Sequence, residues 1–370
     1  MPRPHLLAQL PEDLARHLAE AGVDLTEDEA RRLMVQAFAP PSAFPLKRPV
    51  SKAKLAAAER VFDTQRLVLV ERAVSPGDHF VKYLFRSPDG ALSEAVRIPL
   101  EKPGRFSVCL SSQVGCAMQC AFCATGRLGL TRNLETWEML SAFLAVRDEA
   151  PGRVVGALFQ GQGEPLQNYD AVIRAARVLS HPCGAHVAGR SITLSTVGLV
   201  PQIRRYAAEG HPFRLILSLT SALPDRRQRL LPVAGKVPLE ELAAAVREYW
   251  AASKHGRLTI AMVLISGVNT DPAEVAEIQR LFGGLDLRIN LIDVNDARPE
   301  GFRQAGDAER KAFMDALQVL RAPIVRRYSG GAETHAACGM LAAARLAAEG
   351  SVVTGSRLGE PEGSRGKSPA

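Results

Sequence analysis

The sequence has no long hydrophobic run and few cysteines. No stretch approaches the roughly 18 consecutive apolar residues that mark a membrane-spanning helix, so we predict none. The start, MPRPHLLAQLPEDLARHLAE, carries acidic residues too early for a secretory signal peptide. Only six cysteines occur in 370 residues, and four of them lie between positions 109 and 123, which does not suit a disulfide scaffold. We therefore expect a cytoplasmic globular protein that uses cysteines for metal binding or catalysis.

The charge is basic but not extreme. Lysine and arginine number 46 against 39 acidic residues, which gives a formal charge of +7. This excess permits a polyanionic partner without demonstrating one. Arginines gather in three short clusters, and each cluster is either a solvated face or a set of phosphate contacts: Arg204 and Arg205; Arg226, Arg227 and Arg229; Arg326 and Arg327.

Two accessory regions precede the main pattern of the chain. Residues 1–62 contain the amphipathic segments PEDLARHLAEAG, EDEARRLMVQAF and SKAKLAAAERVF, and they predict a small helical domain suited to RNA phosphates. Residues 63–104 contain three β-rich segments separated by turns, RLVLVERA, HFVKYLFR and ALSEAVRIP. They predict a small antiparallel β-hairpin extension.

From residue 105 the sequence alternates between strand-like and helix-like segments. Six apolar runs, FSVCLSS, VVGALFQ, SITLSTV, FRLILSLT, LTIAMVLI and LRINLIDV, are separated by helical segments at about 135–149, 169–180, 200–209, 238–254 and 272–282. This alternation predicts an α/β fold with parallel strands. Six units are too few for the eight of a complete barrel, so we expect an open (βα)6 barrel over residues 105–345, with chemistry at the strands' carboxyl ends. Residues 346–370 predict a disordered tail.

Three cysteines form a compact motif after the first of these strands. Cys116, Cys120 and Cys123 have the spacing C-x3-C-x2-C. A four-iron cluster takes one thiolate per iron, so three thiolates leave one iron open, whereas a structural zinc site takes four ligands. The spacing is the signature of radical S-adenosylmethionine enzymes. A zinc site completed by Cys109 or a histidine is the alternative.

The loop GQGEP follows the second predicted strand. Gly161 and Gly163 allow a ligand to approach the backbone closely, and the Glu164 carboxylate can accept hydrogen bonds from an ammonium group. The loop resembles the segment that holds the amino group of S-adenosylmethionine in the same superfamily. Its position after the second strand supports the cluster interpretation.

A series of motifs carries a narrower resemblance. In order they are KYLFRSPDG, SEAVRIP, CLSSQVGCAMQCAFCATG, GLTRNLE, GQGEPLQNYD, ITLSTVGLVPQIR, LPVAGKVPLEEL, GVNT, INLI and AACGM. From about residue 80 to residue 345 the chain resembles the radical S-adenosylmethionine RNA methyltransferases of the RlmN/Cfr type, which methylate an adenine ring carbon. The resemblance implies a TIM-like radical SAM barrel, a [4Fe-4S] cluster on the three cysteines of the motif, and S-adenosylmethionine at the open iron.

The resemblance also implies roles for two further cysteines. Because the adenine carbon is too electron-poor to attack a methylsulfonium, the family uses a radical route with two S-adenosylmethionine molecules per turnover. One methylates the cysteine that matches Cys338. The other is cleaved at the cluster and yields a radical that takes a hydrogen from this methyl group, and the resulting carbon radical adds to the adenine. The cysteine that matches Cys109 then releases the protein–RNA adduct by forming a disulfide with Cys338.

Other residues and partners carry over individually. Glu94 matches a glutamate proposed as general base, with a surface carboxylate as the alternative. The positions that match S-adenosylmethionine contacts are Gly163, Glu164, Ser195, Ser218, Leu219, Thr220 and Asn295. Cys183 has no counterpart, and we expect a structural thiol there. The implied partners are RNA, with 23S ribosomal RNA as the default and tRNA as a second target, and an electron donor such as flavodoxin; we expect a monomer.

Several loops depart from the family pattern. GQGEP stands where GMGEP is usual, SLTSALP for SLHAP, IDVND for IPYNP, GAE at 331–333 for GDD, and ACGML for ACGQL. We expect the mechanism to be retained, while the RNA target and the choice between C-2 and C-8 stay open. Two alternatives are a radical SAM enzyme acting on another RNA or on a non-RNA substrate, and a zinc-stabilised RNA-binding protein without catalysis.

Overall fold

Three helices lie near the start of the computed structural model, which describes residues 3–43, 46–253, 257–296, 298–327 and 330–340. They are α1 (Pro11–Glu20), α2 (Glu27–Phe38) and α3 (Lys52–Val61). Proline occupies the first position of α1, where its missing N–H costs nothing. At α2, Thr26 and Glu29 exchange side chain–backbone hydrogen bonds that satisfy two free amides. All three predicted amphipathic segments are therefore helices.

These helices share one hydrophobic core with the rest of the chain. Leu14, Leu33 and Phe62 belong to the same buried cluster as the residues of the central sheet. The Arg174 guanidinium also donates a hydrogen bond to the Ala8 carbonyl oxygen at 2.7 Å. Fully burying one such apolar side chain stabilises the fold by roughly 1.5–3 kcal/mol. The boundary at residue 62 stays a prediction, and the packing shows that the helices do not stand apart.

A ten-stranded sheet forms the centre of the molecule, and its first part is antiparallel. Strands β1 (Val68–Val74), β2 (Val81–Arg86) and β3 (Leu92–Pro99) pair in sequence, and β3 pairs antiparallel with β4 (Arg105–Leu110). Their β-branched and aromatic residues suit a pleated, half-buried surface. The three strands lie where the sequence predicts the hairpin extension, and they continue directly into the parallel part.

From β4 onward the neighbouring strands run parallel and are connected through helices. The remaining strands of this sheet are β7 (Arg153–Phe159), β8 (Ile192–Thr196), β9 (Arg214–Ser218), β10 (Leu258–Leu264), β11 (Leu287–Asp293) and β12 (Ile324–Arg327). A separate hairpin consists of β5 (Gln113–Gly115) and β6 (Leu130–Asn133). The helices are α4 (Ala124–Arg127), α5 (Thr136–Glu149), α6 (Tyr169–Ser180), α7 (Val200–Glu209), α8 (Pro224–Leu230), α9 (Leu239–Ala252), α10 (Pro272–Phe282) and α11 (Asp307–Ala316).

The strand order confirms the predicted open barrel. The sheet runs from β1 at one edge to β12 at the other and does not close on itself. The six predicted parallel strands are β4 and β7 to β11, and β12 adds a seventh beside β11 that the sequence analysis did not predict as a strand. Two arginines in its four residues leave no apolar run to detect. Because side chains alternate along a strand, Arg214, Ile216 and Ser218 of β9 share one face.

None of the described helices is both long and apolar enough to cross a membrane. Residues 341–370, which include the predicted tail and the predicted end of the barrel segment at residue 345, lie outside the described residues.

Candidate active site

One cavity at the carboxyl ends of the parallel strands collects most of the predicted site residues. The loops after successive strands bring their side chains to this edge of the sheet, as expected for parallel α/β folds. Of the predicted residues, those lining the cavity are Cys109, Cys116, Cys120, Cys123, Gly163, Glu164, Ser195, Ser218, Thr220, Asn295 and Cys338. Glu94 and Leu219 do not line it. Residues far apart in sequence thus converge at one place.

The cysteine loop is held by backbone hydrogen bonds to two distant segments. Within the loop, the Cys123 amide donates to the Cys120 carbonyl at 3.0 Å. The Ala121 amide donates to the Leu230 carbonyl at the end of α8 at 3.0 Å, and the Ala124 amide donates to the Gly339 carbonyl at 2.7 Å. The last bond joins the loop to the residue that follows Cys338. Loop geometry and placement of the C-terminal cysteine are therefore coupled.

Burial keeps the three thiols of this loop protonated when no metal is bound. It raises the pKa of Cys116 to about 12 and raises the pKa values of Cys120 and Cys123 as well. The nearby Cys123 side chain also raises the pKa values of Cys116 and Cys120, because thiolates that lie close together would repel one another. Metals bind thiolates, so metal binding here must release protons. In the part of the chain that the structure describes, no three His, Cys, Asp or Glu side chains lie close enough to enclose a single ion.

Arg227 gives an independent indication of what the cysteine loop holds. Its side chain is fully buried, and the guanidinium donates to the Val197 carbonyl at 2.6 Å and to the Leu219 carbonyl. The Arg227 Nε makes no hydrogen bond to any described residue, and no described carboxylate lies within 4 Å of the guanidinium. Cys120 is close enough for its charge to raise the Arg227 pKa, although burial lowers that pKa to about 10. An unpaired buried cation is costly, and a cluster made anionic by three thiolates would compensate it.

Glu164 lies beside the cysteines in a fixed orientation. Its carboxylate accepts hydrogen bonds from the Val197 amide at 2.9 Å and the Leu166 amide at 3.0 Å. Burial nevertheless raises the Glu164 pKa to about 7, because the two backbone bonds only partly offset desolvation. Gly163 has φ of +99°, and a Cβ there would lie 2.6 Å from the Gln113 side chain. Only glycine therefore lets this loop place Glu164 against the cysteine loop.

The other predicted ligand contacts lie on the next strands or in the loops just after them. Ser195 of β8 and Ser218 of β9 have hydroxyl oxygens 3.0 Å apart. Thr220 adopts φ of +58°, a left-handed conformation held by a hydrogen bond from the Asn269 side chain to its carbonyl at 2.7 Å. The Asn295 side chain donates to the Cys338 carbonyl at 3.4 Å. Hydroxyl and amide groups of this kind suit the ribose and carboxylate of a nucleoside ligand.

Cys109 and Cys338 line the cavity together, and neither forms a disulfide. Burial, the larger cause, and the neighbouring Cys338 together raise the pKa of Cys109 to about 12. The Arg327 guanidinium acts in the opposite direction and is held by a 3.0 Å hydrogen bond to the Gln160 side chain. Cys109 is therefore a thiol at neutral pH, and it needs a base before it can act as a nucleophile.

Glu94 is buried next to the cavity, and it is not a surface carboxylate. Lys82 on β2 forms an ion pair with it, Nζ to Oε1 at 3.3 Å, and the Gln162 amide nitrogen donates to Oε2 at 3.2 Å. Both members of the ion pair are less than 10% exposed, at 7% for Lys82 and 5% for Glu94. Glu94 and Val96 share one face of β3, and Val96 lines the cavity.

Lys82, Arg227 and Arg327 are residues that sequence reasoning did not assign to the site. A signal existed for Lys82, because it opens the motif KYLFRSPDG that carries the resemblance. Arg227 and Arg327 belong to two of the arginine clusters in the sequence, but the sequence does not show which arginines of a cluster are buried and which are exposed to solvent. Cys183 lies outside the cavity and packs against the hydrophobic core, as expected of a structural thiol.

Comparison with known proteins agrees with this geometry. The model of the Radical SAM superfamily matches residues 110–278. A probable RNA methyltransferase of Anaeromyxobacter sp. is 46% identical over 339 residues, covering 91% of this chain and 98% of that protein. The dual-specificity RNA methyltransferase RlmN of Syntrophobacter fumaroxidans is 42% identical over 264 residues, covering 71% of this chain and 76% of the relative.

A solved structure extends the similarity to the whole fold. The radical SAM methyltransferase from Sphaerobacter thermophilus superimposes with a TM-score of 0.81 at 35% sequence identity, covering 91% of this chain and 98% of that one. A match of this coverage extends beyond the barrel residues 105–345, so it is not confined to the superfamily core. With these identities over most of its length, the chain belongs to the radical SAM RNA methyltransferases of the RlmN type.

Proposed function

We propose that this protein methylates a ring carbon, C-2 or C-8, of an adenosine in RNA, with 23S ribosomal RNA as the target. The observation that carries the proposal is the meeting of Cys109 and Cys338 in the cavity that also holds the three-cysteine loop. A radical enzyme for a small molecule needs the loop but has no use for this second cysteine pair. The RNA methyltransferase names of the relatives support the same substrate class.

The residues of the cavity fit a [4Fe-4S] cluster and S-adenosylmethionine. Cys116, Cys120 and Cys123 would hold three irons, with Arg227 supplying the compensating charge, and Glu164 would accept hydrogen bonds from the amino group of the nucleoside ligand. When bound, the cluster and its ligand supply a reducing electron and an organic radical. The chain itself contributes binding, orientation and an apolar wall that includes Leu158 and Ile292 and keeps water from the reacting atoms.

Cys338 is assigned as the residue that carries the methyl group and then the RNA adduct, and Cys109 as the residue that releases it. For release, the Cys109 sulfur attacks the Cys338 sulfur, the bond from that sulfur to the transferred carbon breaks, and a disulfide forms. The electron pair of the broken bond goes to the methylated base, which takes up a proton. The disulfide must afterwards be reduced by a thiol reductant.

Glu94 is assigned as the general base. Its ion pair with Lys82 and its hydrogen bond from Gln162 hold the carboxylate beside the cavity wall. A base in this position takes the proton that the substituted adenine carbon must lose. The adduct also gives up its unpaired electron, which an oxidised cluster would accept. The Gln162 side chain occupies the position where the family usually has methionine, so this chain supports the carboxylate with one more polar contact.

The further partners are part of the same proposal. The reaction needs a one-electron donor of the flavodoxin class, and tRNA is a second candidate substrate. We place the protein in the cytoplasm as a monomer, where RNA and the reduced donor are both available.

Mass spectrometry of Cys338 tests the proposal directly. Protein purified without oxygen from a cluster-competent strain is digested, and the peptide that contains Cys338 is examined for an added methyl group. We expect that methyl group in the wild type and its absence in Cys116→Ala. A cluster-loaded protein that leaves Cys338 unmodified after incubation with S-adenosylmethionine would overturn the proposal in favour of another radical reaction.

A crosslinking experiment tests the role of Cys109. Cys109→Ala should keep its cluster and accumulate a covalent protein–RNA complex, visible as a shifted band on a denaturing gel. The double variant Cys109→Ala, Cys338→Ala should show no such band. Normal turnover by Cys109→Ala would remove this cysteine from the mechanism.

A further inference from the structure

The amino end of the barrel carries one arginine for each of six adjacent parallel strands. In three strands arginine is the first residue, and in the other three it lies within two residues of the start. We refer to these six as the arginine collar: Arg105, Arg153, Arg190, Arg214, Arg257 and Arg288. They are spread over more than 180 positions of the sequence, so no local cluster reveals them.

Strand pairing brings these side chains together. Arg105 and Arg153 are direct partners across β4 and β7, and Arg288 pairs with Thr259, two residues after Arg257. Neighbouring strands lie about 4.8 Å apart, so the six arginines lie side by side at the amino end of the sheet. Two open cavities follow this row. One of about 320 Å³ is lined by the first three arginines, and one of about 350 Å³ by the last three.

The collar has almost no compensating negative charge. Among the described residues, Asp286 is the only carboxylate that lines either cavity, and it is paired with Arg257 at 3.0 Å. The other five guanidinium groups have no described carboxylate within 4 Å and no hydrogen bond to a described residue. The Arg288 Nε is buried without any partner. Like charges on adjacent strands repel one another, and an anion bound between them would relieve that repulsion.

Arginines on the outer helices show the opposite arrangement. Arg204 on α7 contacts Glu248 at 3.1 Å, and Arg280 on α10 contacts Glu240 at 2.9 Å and Glu277 at 2.8 Å. Their charges are neutralised within the fold. The unpaired state of the collar is therefore not a general property of the arginines of this chain.

We propose that the arginine collar binds phosphate groups of the RNA substrate, as a second contact at the opposite end of the barrel from the active-site cavity. Guanidinium groups bind phosphate through paired hydrogen bonds and keep their charge at any physiological pH. Strands of five to seven residues separate the two ends by roughly 16–23 Å. The collar thus contacts a part of a folded RNA remote from the target nucleotide. The inference rests on the proposed function for the identity of the polyanion.

Salt-dependent RNA binding tests the collar. Binding of in vitro-transcribed 23S ribosomal RNA, and of a short hairpin cut from it around the methylated adenosine, is measured at several salt concentrations. Two double variants are used, Arg105→Gln with Arg153→Gln and Arg214→Gln with Arg288→Gln. Each should weaken binding of the long RNA about tenfold and reduce the slope of log K against log salt by about 1.4–1.8. Binding of the hairpin should not change.

A matched control is Arg204→Gln with Arg280→Gln, which removes the same charge from paired positions and should leave affinity and slope unchanged. Collar variants with the wild-type slope on long RNA would overturn the inference, and a lowered melting temperature with an unchanged slope would assign the arginines to packing. If the collar variants bind RNA as the wild type does but no longer capture an acidic protein that the wild type captures, the collar binds a protein partner instead. If the wild type bound neither RNA, the proposed function would fail together with the collar.

Discussion

The two ends of the same parallel sheet are built on opposite electrostatic principles. At the carboxyl end, several polar side chains have fixed partners: Glu164 is held by two amides, Glu94 by Lys82 and Gln162, and Ser195 by Ser218. At the amino end, five arginines have none among the described residues. Fixed partners pre-organise groups for chemistry, whereas unpaired charges attract a ligand from solution. The comparison suggests a division of roles, with the proposed catalytic groups at the carboxyl end of the strands and the proposed phosphate-binding arginines at the amino end.

The strongest test of this division removes the cluster. Cys116→Ala, Cys120→Ala and Cys123→Ala should each lose iron, sulfide and all methylation, because three thiolates are the minimum set of protein ligands. The salt dependence of RNA binding should stay as in the wild type, because the collar is untouched. Metal and sulfide analysis measures the first result.

Cys183→Ala is the matched control for these cysteine variants, since it deletes a thiol outside the cavity, and it should keep the full cluster. A cysteine variant that still carried four irons would contradict the ligand assignment. Zinc without sulfide in the wild type would establish the non-catalytic RNA-binding alternative.

Variants of Glu94 and of its partner Gln162 test whether the hydrogen-bonded carboxylate at the carboxyl end takes part in catalysis. Glu94→Gln should lower the single-turnover rate by about 10²–10⁴, as expected when a general base is lost. Gln162→Met deletes one hydrogen bond to the carboxylate and should lower the rate by only about 2- to 12-fold. Equal losses in both variants would show that the effect is structural.

Arg227 tests the buried charge beneath the cysteine loop. Arg227→Met should shift the cluster's reduction potential downward by roughly 50–100 mV, because a nearby cation stabilises the reduced, more negative state. Redox titration followed by electron paramagnetic resonance measures the shift. Arg227→Lys keeps the charge and should stay near the wild-type potential.

Arg229→Met is the control for this shift, because it removes the same charge from an exposed position of the same helix. Cluster content and melting temperature are determined first, and Arg227→Gln replaces the Met variant if that variant does not fold. Identical potentials in all four proteins would remove Arg227 from the cluster environment.

The smallest expected effect concerns pH. Burial raises the Glu164 pKa to about 7, so below that pH the carboxyl group is protonated and accepts an ammonium group poorly. Affinity for S-adenosylmethionine should therefore fall up to about tenfold per pH unit below pH 7. Equilibrium dialysis with cluster-loaded protein measures it. Glu164→Gln should bind weakly at every pH, and an unchanged break near pH 7 in that variant would assign the titration to another group.

Much of the fold could be predicted because its signals are local. Helices α6, α7 and α10 match their predicted boundaries of 169–180, 200–209 and 272–282, since apolar periodicity and start signals lie within each segment. Strand β12 was not predicted, because four residues with two arginines carry no pattern of their own. Its position depends on pairing with β11, and a partner that far away in the sequence cannot be read from composition.

The sequence predicts which residues belong to the site, but it does not predict which of their side chains contact one another. Motif spacing singled out the GQGEP loop and the three cysteines that we predict as cluster ligands, and family resemblance added Cys109, Cys338 and Glu94. The roles of these residues stay predictions. The ion pair of Lys82 with Glu94 needs the register of β2 against β3, which a single sequence does not define. Arginines adjacent in sequence, such as Arg204 and Arg205, turned out to be paired with carboxylates, whereas those that converge on the collar are far apart.

The hydrogen bond between the Ala124 amide and the Gly339 carbonyl has a consequence for the order in which the molecule is assembled. A chain is made from its amino end, so the cysteine loop exists long before residue 339 leaves the ribosome. Until that residue arrives, the loop lacks one of its anchors and the cavity lacks the wall that contains Cys338. The three cysteines are thus fully enclosed only after the C-terminal segment docks, so the cavity is completed by residues that lie more than 200 positions after the cysteine loop.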